Sequence, residues 1–128
     1  MTGEILFYIV LGIIGVFYLR KVFVARSVQH YSAAEVRERL RDSHNVVLLD
    51  VRTEREWQGQ HIKGAVHIPL HELQRRIDEL EKHKGKEVIC YCHTGNRSVS
   101  AAVRLKKLGF SVANMKGGIA EWNFQHRK

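Results

Sequence analysis

A short apolar segment followed by a polar turn and a helical pattern constrains the fold of this sequence most. Residues 88–91 (Val-Ile-Cys-Tyr) are apolar and favour extended backbone, as in a strand buried on both faces of a sheet. Residues 98–109 then carry apolar side chains at helical spacing and end at Gly109, a residue type common after the last helical turn. Unpaired N–H groups in such a strand-to-helix turn lie at the positive end of a helix dipole. The turn therefore suits an anion.

The turn begins with a cysteine and ends near an arginine. We expect Cys92 to have a lowered pKa, because the N–H groups and the charge of Arg97 favour its thiolate. Gly95 permits a backbone turn with positive φ. Cys92 could instead be a small buried apolar residue, but its place at a strand end favours a nucleophile. Cys90 faces the same side of the strand further inside, and we predict a core residue rather than a resolving thiol.

The rest of the sequence alternates between strand and helix patterns. The predicted strands are residues 28–31, 46–49, 65–68, 88–91 and 110–114. The predicted helices are residues 32–40, 53–59, 71–83 and 98–109, and a closing helix after Gly117-Gly118. This alternation predicts an α/β fold, with a parallel sheet of about five strands and helices on both faces. We expect Trp57 and Trp122 in its core. Ligands bind beyond the carboxyl ends of such strands, where Asp50-Val51-Arg52 and Cys92 emerge.

The N-terminus carries an apolar segment that predicts a membrane-spanning helix. Residues 5–19 contain no charge, and residues 22–25 extend this length beyond Arg20 and Lys21 toward the roughly 20 residues that span a bilayer. A secretory signal peptide would carry its bases first, whereas here Glu4 precedes the segment and the bases follow it. We predict a transmembrane anchor over residues 1–26, embedded through residues 5–25. The basic end places the N-terminus outside and residues 27–128 in the cytoplasm, as one domain. A buried helix is the alternative.

Charge and cysteine content limit the partners. The formal net charge of +8 suits small anionic substrates or an anionic membrane surface, and no basic run interleaved with aromatic residues indicates nucleic-acid binding. Two cysteines, Cys90 and Cys92, are too few for a secreted disulfide framework and lack the further ligands of a zinc site. We expect no metal and no cofactor.

Four motifs follow one another in the sequence. They are Asp50-Val51-Arg52, residues 59–65 (Gly-Gln-His-Ile-Lys-Gly-Ala) before Ile68-Pro69, Cys92-His93-Thr94-Gly95-Asn96-Arg97-Ser98, and Gly117-Gly118 ahead of Trp122. Residues 28–124 thereby resemble single-domain rhodaneses, whose active-site loop follows C-x-x-G-x-R-[ST]. The resemblance implies a rhodanese-like fold, preceded here by a transmembrane helix.

The resemblance also implies an enzyme, a sulfurtransferase of the thiosulfate:cyanide type. Cys92 would take a sulfane sulfur from a small anionic donor such as thiosulfate, or from a persulfide, and hold it as a persulfide. A thiophilic acceptor, cyanide or a thiol, would then remove the sulfur. A protein donor or acceptor would also fit.

Several further residues are expected at this site. The substrate-binding residues would be His93, Thr94, Gly95, Asn96, Arg97 and Ser98. Arg97 would orient the turn or bind the donor, with an ordinary surface ion pair as the alternative. By resemblance, Asp50 secures the neighbouring backbone, and Arg52 pairs with Glu54 or Glu56, unless it touches the substrate.

Two other functions fit parts of the sequence. Cysteine-dependent phosphatases use C-x5-R, whereas Cys92 and Arg97 form a tighter C-x4-R loop with no Asp to protonate a leaving alcohol. Both differences argue against a phosphatase. A membrane-anchored, non-catalytic rhodanese-like binding module remains the alternative, although such modules commonly lack the cysteine or interrupt the loop.

Overall fold

A computed structural model describes residues 2–42 and 44–126, which form a five-stranded sheet surrounded by helices. The strands are β1 (Gln29–Tyr31), β2 (Val46–Asp50), β3 (Val66–His67), β4 (Glu87–Tyr91) and β5 (Ser111–Met115). The helices are α1 (Thr2–Arg26), α2 (Ala33–Arg39), α3 (Glu54–Gly59), α4 (Asn96–Lys107) and α5 (Gly118–His126). All paired strands are parallel, in the order β1-β5-β4-β2-β3, which confirms the predicted α/β fold.

The central strand β4 separates two apolar cores. Val88 and Cys90 point to the side covered by α4, where they meet residues such as Leu105. Ile89 and Tyr91 point to the opposite side, where α2 and α5 cover the sheet. Successive side chains of a strand face opposite sides, so a strand between two helical layers is apolar throughout.

Local sequence signals set the starts of two helices. The hydroxyl of Ser32 accepts from the N–H of Glu35 at 3.1 Å, ahead of α2. Thr53 and Glu56 form a reciprocal capping box at the start of α3. Helix α3 carries Trp57, which is half-buried and stacks on His61 and His67 with ring centroids 3.6 and 4.6 Å apart. The prediction of Trp57 as a core residue is therefore wrong, whereas Trp122 is buried.

The segment between β3 and β4 differs from its prediction. Residues 71–83 were expected to form one helix, but the structure has two 3₁₀ segments, Leu70–Glu72 and Ile77–His83. Arg76 separates them with φ −106° and ψ 17°. Three residues per turn place Ile77, Leu80 and His83 on one face, and Leu80 is fully buried. The spacing of the apolar residues therefore predicted the buried face correctly, but it did not distinguish a 3₁₀ helix from an α-helix.

Helix α1 lies outside both cores. Residues Thr2–Val24 have a mean hydropathy of 2.0 and are long and apolar enough to cross a membrane, and none of this stretch is buried in the domain. At its end, Lys106 Nζ of α4 donates to the carbonyl of Ser27 at 2.8 Å. The helix is thus connected to the sheet through a short turn and rests beside α4.

Candidate active site

The sulfur of Cys92 lies at the carboxyl end of β4, facing the first turn of α4. The N–H of Gly95 donates to Cys92 Sγ at 3.0 Å, and the backbone N–H groups of Thr94 and Ser98 also bond to the sulfur. Gly95 has φ 111°, which confirms the expected left-handed turn. This conformation is costly for any residue with a side chain, so glycine is required where the loop curls around the sulfur.

A chain of hydrogen bonds leads from Cys92 to β1. Ser98 Oγ lies 3.4 Å from Cys92 Sγ and 2.5 Å from Asn114 Oδ1, so its single hydroxyl proton can be donated to either atom. Asn114 Nδ2 then donates to His30 Nδ1 at 3.1 Å. Asn114 and His30 are paired in the β1–β5 register. The sequence motifs do not include His30 and Asn114, because a pattern confined to the loop does not indicate partners on other strands.

These hydrogen bonds lower the pKa of Cys92. Burial alone would raise it, since the thiolate loses solvation, but donation from the Ser98 hydroxyl and from the N–H groups of Ser98, Gly95 and Thr94 outweighs that effect. Among residues 2–42 and 44–126, no such donor bonds to Cys90. Full burial raises its pKa to about 12. The pKa values of the two thiols are thus shifted in opposite directions. The prediction of Cys90 as a core residue is confirmed.

The start of α5 holds the other side of the loop. The N–H of Ile119 donates to the Cys92 carbonyl at 2.9 Å, and the N–H of Ala120 donates to the His93 carbonyl at 3.2 Å. Gly118 makes this approach possible, because a Cβ there would lie 2.3 Å from the Cys92 carbonyl oxygen. The loop carbonyls therefore point toward α5, and the loop N–H groups are left to face the sulfur.

Arg97 is held by a carboxylate from α3. Its Nη1 and Nη2 donate to the two oxygens of Glu56 at 2.6 and 2.8 Å. This pairing lowers the pKa of Glu56 to about 2. Glu56 also accepts from the N–H of Thr53 at 3.2 Å, so one carboxylate caps α3 and orients the loop. Arg97 thus forms the ion pair that the sequence analysis gave as the alternative. The sequence did not indicate Glu56 as its partner.

Asp50 and Arg52 form a buried pair beneath the loop. Asp50 accepts from the backbone N–H and the guanidinium of Arg52 at distances of 2.8 to 3.1 Å. Arg52 Nη2 also donates to the carbonyl of Gln60 at 2.6 Å. The expectation that Arg52 pairs with Glu54 or Glu56 is wrong, because the guanidinium folds back onto Asp50. Arg52 is 4% exposed, which favours a structural role over contact with the substrate.

The remaining loop residues face solvent. His93, Thr94 and Asn96 are exposed, as expected for the mouth of a site, whereas Ser98 is buried. A cavity of about 320 Å³ lies beside the loop, bordered by Arg97. Its other lining residues are Val51, Thr53, Leu70, His71 and Arg104. The site therefore combines a buried, strongly hydrogen-bonded sulfur with a basic approach.

Comparisons with known proteins agree on one protein family. The model of the rhodanese-like domain family matches residues 32–125. A sulfurtransferase from Allochromatium vinosum is 33% identical over 96 residues, which cover 74% of this chain and 88% of that protein. A putative sulfur carrier protein from Bacillus subtilis, YrkF, is 36% identical over 99 residues, 77% of this chain. The matched region spans only 52% of YrkF.

Solved structures agree with the sequence comparison. A rhodanese-related protein from Thermoplasma volcanium is 30% identical and superposes with a TM-score of 0.69. The match covers 76% of this chain and 92% of that protein. The fold of the matched region is thus that of a solved relative, nearly all of which it covers.

Proposed function

This chain belongs to the family of rhodanese-like domains, and we propose that it is a sulfurtransferase whose nucleophile is Cys92. Relatives named sulfurtransferase and sulfur carrier support a role in sulfur transfer. The observation that carries the assignment to Cys92 is the set of hydrogen-bond donors around its sulfur, which lower its pKa. A thiolate is the reactive form of cysteine, so this arrangement supports Cys92 as the nucleophile.

The first half-reaction loads a sulfur onto Cys92. The thiolate attacks the outer sulfur of a sulfane donor such as thiosulfate. A new S–S bond forms at Cys92, and the donor's S–S bond breaks with its electron pair leaving on sulfite. The product is a Cys92 persulfide with a negative terminal sulfur. The loop N–H groups that bond to Cys92 Sγ are placed to stabilise that charge, as donors do in an anion site.

The second half-reaction releases the sulfur to an acceptor. A thiolate or cyanide attacks the terminal sulfur, and the electron pair of the persulfide bond returns to Cys92. No general base is required, since both nucleophiles react as anions. The exposed His93, Thr94 and Asn96 border the approach and would influence which donors and acceptors react. A protein persulfide could serve as donor by the same chemistry.

Mass spectrometry of the intact full-length chain tests the proposal. After incubation with thiosulfate, we expect a gain of one sulfur atom that cyanide removes. The gain should be absent from Cys92→Ala and retained in Cys90→Ala, because only Cys92 has a lowered pKa. If neither thiosulfate nor a small persulfide leaves an adduct, the sulfurtransferase proposal is wrong and a non-catalytic binding module becomes the better description.

We also propose that α1 anchors the domain to a membrane as a single-pass helix. Its length and hydropathy support this role, and Arg20 and Lys21 follow the uncharged stretch on the side of the domain. By the positive-inside rule, the N-terminus lies outside and the domain in the cytoplasm. The domain would then receive sulfur at the membrane surface. Resistance to extraction by alkaline carbonate is expected, and extraction into the supernatant would contradict the anchor.

A further inference from the structure

A groove runs between α1 and α4, and it shares Arg104 with the cavity beside the Cys92 loop. We call it the α1/α4 groove, and its volume is about 530 Å³. The residues that α1 contributes are spaced at i, i+3, i+4 and i+7, from Phe17 to Val24, so they form one stripe along that helix. The residues of α4, from Val99 to Lys107, form a second stripe that faces the first.

Part of the groove is apolar. Phe17 and Val24 line it from α1, and Val99 and Val103 line it from α4. Phe17 is 68% exposed, so the two helices do not fill the space between them. An exposed aromatic ring beside valine side chains favours an alkyl chain over a fully hydrated ligand.

The other part of the groove is strongly basic. Arg20 and Lys21 of α1 face Arg104 and Lys107 of α4. Within residues 2–42 and 44–126, none of these four groups takes part in an ion pair with a carboxylate. Four uncompensated positive charges around one opening attract an anion. The guanidinium of Arg104 also has the planar fork that matches two phosphate oxygens.

An occupant must therefore join an anion to an alkyl chain. We propose that the α1/α4 groove binds an anionic phospholipid, with its phosphate between the four basic side chains and the start of an acyl chain against Phe17 and Val99. The inference rests on the proposed membrane anchor, since Arg20 and Lys21 follow the uncharged stretch and would lie at headgroup depth. The bound lipid would fix the domain against the bilayer through α4.

Native mass spectrometry of the full-length chain tests this site. The protein is released from mild detergent containing phosphatidylglycerol and phosphatidylcholine in equal amounts. We expect one retained phosphatidylglycerol and little phosphatidylcholine. The double variant Arg104→Gln/Lys107→Gln should retain about tenfold less phosphatidylglycerol, because two of the four phosphate partners are removed. Both side chains are exposed on α4, so the fold should persist, as monitored by circular dichroism.

A matched variant separates lipid binding in the groove from a general effect of net charge. Lys63→Gln/Lys82→Gln removes the same charge from exposed positions that do not line the groove, and it should retain the lipid as the parent chain does. Equal retention of both lipids, equal loss in both double variants, or displacement of the lipid by inorganic phosphate alone would each overturn the proposal. Sulfur gain at Cys92 and carbonate extraction are measured separately, so a failure of the groove is distinguished from a failure of the enzyme or of the anchor.

Discussion

At the scale of single residues, Ser98 connects the nucleophile to the rest of the sheet. Its hydroxyl lies between Cys92 Sγ and the side chain of Asn114, and Ser98 is fully buried. Hydroxyl donation to a thiolate favours the charged form, and it is the largest of the effects that lower the pKa of Cys92. The reactivity of Cys92 therefore depends on a neighbour six residues away.

Replacing Ser98 by Ala should raise the pKa of Cys92. The pH at which alkylation of Cys92 reaches half its maximal rate should move upward by about one unit, because the thiolate loses a charge-assisted hydrogen bond. The rate at neutral pH should fall accordingly. Site-resolved mass spectrometry of iodoacetamide labelling measures the profile.

Two variants control this experiment. Ser100→Ala removes an exposed hydroxyl from the same helix and should leave the profile unchanged. Ser98→Thr keeps a hydroxyl and should restore most of the parent profile. An unchanged profile in Ser98→Ala would show that the backbone N–H groups alone set the pKa of Cys92.

Glu56 gives a pH-dependent contribution to stability. Its pKa is lowered from 4.5 to about 2 by the guanidinium of Arg97. A lowered pKa means that the ion pair stabilises the fold at pH values above 4.5, and that this contribution is lost as the pH falls toward 2.

Glu56→Gln should therefore lower the free energy of unfolding at neutral pH by about 1 kcal/mol, a value reduced by solvent screening of a half-exposed pair. The difference from the parent chain should shrink as the pH falls below 4.5. Urea unfolding at several pH values measures it. A difference that is constant with pH would mean that the capping of α3, rather than the charge, is responsible. Glu54→Gln, which changes an exposed acid of the same helix, is the matched control.

At the scale of elements, the contact between α5 and the Cys92 loop depends on one glycine. Gly118 has φ 57°, and an added Cβ would meet the backbone of Cys92 and His93 at 2.3 to 2.5 Å. Neither neighbour is a flexible side chain, so the contact is not easily relieved. The start of α5 would have to move away from the loop carbonyls.

Gly118→Ala should destabilise the protein by about 2 to 3 kcal/mol and slow sulfur loading, because the loop loses its support from α5. Thermal unfolding and the thiosulfate mass gain measure the two effects. Gly59→Ala is the control, since an added Cβ there meets no atom of the described residues within 4 Å, and its effect should stay within about 0.5 kcal/mol. Equal effects of the two substitutions would contradict the role of Gly118.

At the scale of the whole molecule, α1 is separate from the folded core. The buried residues of both cores come from residue 28 onward. Stability arises mainly from buried apolar surface, which α1 does not share with the sheet. The anchor and the domain are therefore expected to be energetically independent.

Deletion of residues 2–26 should leave cooperative unfolding and sulfur loading of Cys92 intact. Circular dichroism melting and the mass gain with thiosulfate measure these properties, and the melting temperature should stay within about 5 °C of that of the full chain. Loss of cooperative unfolding would show that α1 contributes to the core. Membrane association should be lost in the same variant.

The sequence alone determined the order of elements and the place of the Cys92 loop between a strand and a helix. Alternating strand and helix patterns and the C-x4-R spacing are local, because each depends on residues within one or two turns of each other. For that reason the parallel sheet, the position of Cys92 and the need for Gly95 could be predicted. The helical pitch of residues 71–83 could not be predicted. The spacing of the apolar side chains fits an α-helix, whereas the folded chain forms 3₁₀ turns.

The tertiary structure decided which residues surround the sulfur. Glu56 reaches Arg97 across 41 positions of the sequence, and Asn114 reaches His30 across 84. Gly118 meets the loop only because α5 folds back over the end of β4. Such contacts depend on strand order and register, in which β5 lies between β1 and β4. Local patterns specify the elements, whereas long-range packing specifies which side chains meet at the sheet's carboxyl edge.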